Sequence, residues 1–362
     1  MSHKEKLALK IMASTIMVLI IVYLLNLNQF IFNPILEIIG AVFLPIIFTG
    51  IFYYLCRPLV QWLENRKIPT IVAILLLYSV IGSLLFIAIK TLGPIIHEQF
   101  VSFVDSVPAM IDFVIRWLES IQNQRSSIPS VVRDALPDLN EKLKTQLNQN
   151  TGYIADSIFG AFSWISNLLL AFGLVPFILF YALKDGKHFA PRLKKLAPSS
   201  YRKHVPKLLK ELDETIASYI LGQAAVSVCV GILLYIGYSI IGLNYSLVLA
   251  LTAMLVNVVP FLGPIMATIP ALLVALSQKP ILALYVLLIT IITQQIEGNL
   301  ISPQVMGRTL DIHPLTVITL LLAAGNVAGI LGIIFVIPTY AIAKVFVEYG
   351  MKLYRLHNES AG

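Results

Sequence analysis

The stretch NVVPFLGPIMATIP (Asn257–Pro270) decides how this chain is built. It lies inside a long apolar run, Tyr245–Leu276, yet it carries Pro260, Gly263, Pro264 and Pro270. A proline inside a helix deletes a backbone hydrogen bond and clashes with the preceding turn, at a cost of about 3 kcal/mol. The run is therefore expected to break near its middle. Whether the break turns the chain back or leaves a kinked helix that still crosses is open at the level of sequence.

The surroundings of that stretch set its meaning. Of 362 residues, 58% are hydrophobic and 12% are charged. A soluble domain has a charged share of about 25%. So much apolar surface cannot be buried in one soluble core, and the chain reads as an all-α, polytopic membrane helix bundle. Candidate spans are Leu7–Leu27, Ile31–Leu55, Thr70–Lys90, Tyr153–Leu183, Tyr219–Ile241, Tyr245–Leu276 and Ile281–Ile296. An eighth apolar run, Pro314–Phe346, is longer than one crossing requires. It reads either as one tilted helix or as a short helix and a longer one hinged near Gly325–Asn326. The N-terminus has a basic start and a long apolar stretch without an A-x-A-like cleavage site, so it reads as a retained first helix.

Two segments interrupt the apolar pattern. Between Gly93 and Thr151 the chain is mixed in polarity. Phe100, Phe103, Val104, Val107, Ile111, Val114, Ile115 and Leu118 recur at three- and four-residue spacing, which marks an amphipathic helix. SSIPS (Ser126–Ser130) punctuates the segment, and a polar helix from about Val131 to Gln149 follows. This is expected to be a helical insert outside the bilayer. The second interruption, Lys184–Glu214, holds nine lysines and arginines from Lys184 to Lys210. Such loops stay cytoplasmic. Lys4, Lys6, Lys10, Arg57, Arg66, Lys67, Lys344, Lys352 and Arg355 fit the same scheme, with both termini inside. The expected organisation is three spans in 1–92, the extracytoplasmic insert in 93–151 and a fourth span in 152–183. A basic loop in 184–214, a C-terminal core with broken helices in 215–350 and a cytoplasmic tail in 351–362 complete it.

The residues that carry chemistry are few. No phosphate-cradling GxxxxGK[ST] motif, nucleophile elbow or zinc motif occurs, and no enzyme, cofactor, metal site or nucleic-acid partner is expected. Cys56 and Cys229 lie in apolar segments without motif spacing and read as small apolar side chains. An ionisable group in the bilayer interior costs at least about 2.5 kcal/mol, so it is a functional candidate by default. Glu297 is the best of these. It follows an apolar run, and Gln294, Gln295 and Asn299 crowd around it. It also reads as a marker of the membrane–water boundary beside Gly298. Arg308, Asp311 and His313 are either loop solvation or a gate near Glu297. EGNLISP (Glu297–Pro303), with Ser302 and Pro303 at its end, is expected to end the seventh run and to face the break at Pro260–Pro264. Non-helical backbone at membrane depth is tolerated only inside protein or around a polar cavity. Transporters place their sites at such breaks. Asn257, Gln294, Gln295 and Asn299 would then offer hydrogen bonds, Glu297 a proton or cation site, and Pro260, Gly263 and Pro264 the backbone shape. Gly325 and Gly329 form a small-xxx-small face suited to helix packing or to protomer contact in a homo-oligomer.

These segments together resemble the AI-2E transporter family of bacterial membrane proteins, also called PerM-like. The carriers are FLPIIFTGIFYYLCRPLVQWLE (Phe43–Glu64), VPFILFYALKDG (Val175–Gly186), SYILGQ (Ser218–Gln223), NVVPFLGPIMATIPALLVAL (Asn257–Leu276) and the long stretch Gln295–Phe346. The resemblance implies a plasma-membrane protein with about eight hydrophobic segments and a helical insert after the third. It implies export or facilitated passage of a small polar solute such as the quorum-sensing signal autoinducer-2, or alternatively Na⁺(Li⁺)/H⁺ antiport. Leu221 departs from the pattern, in which a basic residue is common. The reading from a different class is a scaffold or regulator that uses the insert to bind an envelope partner.

Overall fold

The computed structural model describes residues 12–17, 19, 20, 23, 24, 27, 29–123, 173–196, 202, 204–260, 262–306 and 312–361. Among them the secondary structure is helical throughout. The helices are α1 (Gln29–Asn65), α2 (Thr70–Asn123), α3 (173–185), α4 (Phe189–Leu196) and α5 (Val205–Ile240). They continue with α6 (Ser246–Val256), α7 (Leu262–Gln278), α8 (Pro280–Ile296), α9 (Ser302–Met306) and α10 (Pro314–Ala361). By length and composition, five stretches are long and apolar enough to cross a membrane: Val42–Asn65, Thr70–Arg116, Val205–Ile240, Pro280–Val305 and Leu315–Met351. The polytopic helical class expected from composition is the observed one.

The chain divides into two compact units. The first comprises 1–53 and 164–182, and within it Pro45, Thr49, Val175 and Leu179 are buried. The second comprises 54–163 and 183–362. Part of the expected first span, most of the fourth, the second half of the insert (SSIPS and the helix after it) and part of the basic loop lie outside the described residues.

The second unit is organised around α5. Val226, Val230, Leu234 and Tyr238 recur every four residues on one face of that helix, so they form one buried stripe. They meet Leu249, Ala250 and Ala253 of α6, Ala267, Ala271, Val274 and Ala275 of α7, and Leu282 and Val286 of α8. The alanines of α7 are four apart, and a face of small residues lets helix backbones approach closely where lipid supplies no hydrophobic drive. Met110 of α2 joins the same cluster. α2 runs unbroken from Thr70 to Asn123, with Pro94 and Pro108 inside it, so the third span and the first amphipathic stretch of the insert are one helix.

Tyr245–Leu276 is not one crossing. α6 has 11 residues, which extends about 16 Å, against a hydrocarbon thickness of about 30 Å. The chain then turns through Asn257–Pro260 and returns as the 17-residue α7. The two arms pack on each other. Their open end is tied to the C-terminal end of α5. The Asn244 amide donates to Gln278 Oε1 (3.1 Å) and Gln278 Nε2 donates to the Gly242 carbonyl (2.8 Å).

The last run folds back in the same way. α10 is non-helical at Ala328 and Gly329, where φ is −131° and 59°. In a straight helix, residues eight apart are separated by about 12 Å. Here a Cβ on Gly332 would collide with the Ala324 carbonyl oxygen, and one on Gly325 would lie 3.2 Å from the Ile333 side chain. Residues 314–327 and 330–361 are therefore the two arms of a helical hairpin. The break falls at Ala328–Gly329, just beyond the hinge expected at Gly325–Asn326, because Gly329 adopts the positive φ that reverses the chain. The first arm, 14 residues or about 21 Å, is too short to cross. The second arm returns to the N-terminal end of α5, where Tyr349 Oη donates to the His204 carbonyl at 3.0 Å. The two hairpins thus enter from opposite ends of α5.

Near that N-terminal end two polar ties join distant segments. Arg57 Nη1 lies 2.7 Å from both carboxylate oxygens of Asp213, and Tyr54 Oη donates to the same carboxylate. Lys187 Nζ lies 2.7 Å from both oxygens of Glu64, which also accepts from Thr70 Oγ1.

Candidate functional site

The turn between α6 and α7 is almost self-sufficient in backbone hydrogen bonds. The amides of Asn257, Val259 and Gly263 donate to the carbonyls of Ala253, Val256 and Val259 at 2.8–3.0 Å. That leaves few backbone groups unmatched at membrane depth, which is the condition for a break to survive there. Pro260 lies in the turn. Pro264 is the third residue of α7, within the first turn, where backbone amides have no intrahelical partner to lose. Only Pro270 is interior to the helix. Gly263 brings the arms together. A Cβ there would lie 2.5 Å from the Val256 carbonyl oxygen and 2.8 Å from Asn257 Cα. No side chain fits that approach.

The Asn257 side chain lies at the tip and is 1% exposed. Its backbone carbonyl accepts a 2.7 Å hydrogen bond from Gln223 Nε2 of α5, itself buried. Its side-chain Oδ1 and Nδ2 make no hydrogen bond among the described residues. The side chains of Asn257 and Gln294 face the Glu297 carboxyl, whose buried Oε2 is also without a hydrogen bond among the described residues. An unmatched amide or carboxyl in such surroundings costs several kcal/mol. The structure therefore brings together three residues expected from sequence: the Asn257 and Gln294 amides approach the Glu297 carboxyl as polar partners, while Asn257 Oδ1, Asn257 Nδ2 and Glu297 Oε2 fall short of well-formed hydrogen bonds.

The seventh run does not end at Glu297. Glu297–Ile301 forms a single widened π turn between α8 and α9. The reason is Pro303, which has no amide to offer the Asn299 carbonyl and whose ring would clash with it. A widened turn relieves that clash while the helix continues. The expected second break is therefore a bulge, which shifts the register of the residues around it. Gln295 and Asn299 are exposed and bonded to each other, with Asn299 Nδ2 donating to Gln295 Oε1 at 2.8 Å. Ser302 is half-buried and Pro303 exposed. Arg308 and Asp311 lie outside the described residues. His313 is exposed, and its Nδ1 accepts the Leu315 amide at 3.3 Å, so it caps α10. Gln223 is not among the residues the sequence singles out by chemistry. A signal was present: Tyr219, Gln223 and Ser227 are polar at four-residue spacing within an apolar span. Among the described residues no group of three His, Cys, Asp or Glu side chains is arranged to hold a metal.

With this geometry in place, similarity to other proteins is informative. A family model described as AI-2E family transporter matches residues 12–352. The chain is 35% identical over 346 residues to YueF of Bacillus subtilis, a candidate transport protein, covering 95% of this chain and 93% of that one. It is 29% identical over 348 residues to YrrI of the same organism, also a candidate transport protein, covering 95% and 97%. A more distant relative is YhhT of Escherichia coli, of the same description, at 22% over 308 residues and 82% and 81% coverage.

Proposed function

The chain belongs to the AI-2E family of membrane transporters, and from that premise we propose that it passes a small, uncharged polar solute across the cytoplasmic membrane, an autoinducer-2-like molecule being the type. The observation that carries this reading is the buried Asn257 side chain at the tip of the α6–α7 hairpin, which faces Glu297 without a well-formed hydrogen bond. Its Oδ1 needs a donor and its Nδ2 needs an acceptor. A solute hydroxyl supplies both, and a second hydroxyl donates to Glu297 Oε2. The basic segments favour both termini in the cytoplasm, and in that orientation the α6–α7 hairpin would open from outside and the α10 hairpin from inside. Movement of these segments against the rest would give alternating access.

The test is Asn257→Leu. Leu is close to Asn in size and removes an amide that lacks well-formed hydrogen bonds, so the change in stability should be small. The variant is expected to fold about as stably as wild type while losing solute flux in proteoliposomes. Full flux in a stably folded variant would refute the role of Asn257. A second reading, cation/proton antiport, is favoured by the position of the Glu297 carboxyl at the same tip. Glu297→Gln in everted vesicles separates the two. The solute facilitator keeps its flux, whereas an antiporter loses Na⁺-driven proton movement.

A further inference from the structure

Three polar residues of α5 fall on one face of the helix at four-residue spacing: Tyr219, Gln223 and Ser227. All are buried, at 6%, 6% and 4% exposure. Gln223 meets the Asn257 carbonyl at the hairpin tip. Tyr219 Oη and Ser227 Oγ make no hydrogen bond among the described residues. Eight residues of helix extend about 12 Å, so the stripe runs well beyond the tip in both directions. It lies beside the apolar stripe that begins at Val226, yet it is distinct from it. Tyr219 packs where the two hairpins meet, against Val317, Leu321 and Ile337 of α10, with Val259 and Leu262 of the first tip alongside. A buried hydroxyl without a partner is costly in any packed interior. Two such hydroxyls flank the Gln223 contact to the tip.

We infer that Tyr219, Gln223 and Ser227 form a hydrogen-bonding track along α5 that carries the solute past the Asn257–Glu297 site. The inference rests on the transport path proposed above and adds residues to it. The track offers hydroxyl and amide groups and no charge, so it suits a small neutral solute that both donates and accepts hydrogen bonds. Gln223 doubles as the positioning residue that ties α5 to the hairpin tip.

The test needs no substrate. Full-length protein with Cys56→Ala and Cys229→Ala is reconstituted into liposomes. Single cysteines are introduced at Ser227, Tyr219 and Asn257. Val226→Cys serves as a packed control, and Leu221→Cys and Val228→Cys as outward-facing ones; these three positions are 1%, 37% and 47% exposed. The probe is the membrane-impermeant thiol reagent trimethylammonium-ethyl methanethiosulfonate, present on both faces, which reacts with the thiolate and so reports water access. Ser227→Cys is expected to react at least about tenfold faster than its neighbours at 226 and 228, and Tyr219→Cys likewise against 221. Ser227→Cys is close to isosteric, and Tyr219→Cys gives a second reading should either variant fold poorly. Labelling at 257 with none above control at 219 and 227 overturns the track and leaves the tip site standing. No labelling at any of the three overturns both.

Discussion

Gly263→Ala tests the hairpin at its tightest point. The added Cβ would lie 2.5 Å from the Val256 carbonyl oxygen, 2.8 Å from Asn257 Cα and 3.0 Å from the Val256 carbonyl carbon. Ordinary contacts to carbon begin near 3.5 Å, so the first turn of α7 must retreat by about 1 Å. All three atoms are backbone, and they belong to the turn that also holds the Asn257 carbonyl on Gln223. No side-chain rotation relieves the clash. Overpacking of this kind costs about 1–3 kcal/mol. Against it stands the gain of up to about 1 kcal/mol when alanine replaces glycine in a helix. The net expectation is a loss of about 1–2 kcal/mol, with the Asn257 side chain displaced from Glu297. The control is Gly82→Ala in α2, where a Cβ meets nothing within 4 Å and the helical gain stands alone. Thermal unfolding of the detergent-solubilised proteins should place Gly263→Ala several degrees below wild type and Gly82→Ala at or above it. Proteoliposome flux should fall in Gly263→Ala only. Equal stability and flux for the two variants would refute the claim that the tip depends on this backbone approach.

Gly329→Ala should likewise destabilise the protein, by about 1–3 kcal/mol, because φ 59° with ψ −142° is a region that is essentially glycine's alone. Thermal unfolding beside the Gly82→Ala control measures it. The Arg57–Asp213 pair, with side chains 32% and 37% exposed, should contribute about 0.5–1 kcal/mol in a double-mutant cycle of Arg57→Met and Asp213→Asn. That coupling should shrink when salt is raised to about 0.5 M.

Much of this architecture is legible in the residues themselves. An apolar content of 58% with 12% charge leaves no soluble solution. Prolines 260 and 264 locate the first turn, since their missing amides suit a turn and a helix start. Glu297 stands out because a carboxylate is rare in an apolar run. Other features are silent. The pattern of Pro314–Phe346 is apolar throughout, and apolarity reports length but not direction. The reversal at Ala328–Gly329 appears only when Gly332 is found against Ala324. Pro303 reads as a helix end, yet a single π turn absorbs it and the helix continues.

The sequence alone therefore determined the solvent of this protein, its helical class and the place where its sixth run must break. Those follow from transfer free energies and from proline's missing amide, which are properties of single residues. The tertiary structure decided which polar groups are left without partners. Hydrogen-bond satisfaction is a property of pairs: Tyr219 and Ser227 lack partners among the described residues because of what the neighbouring helices fail to offer them, and Asn257 faces Glu297 only because the hairpin tip meets the π turn.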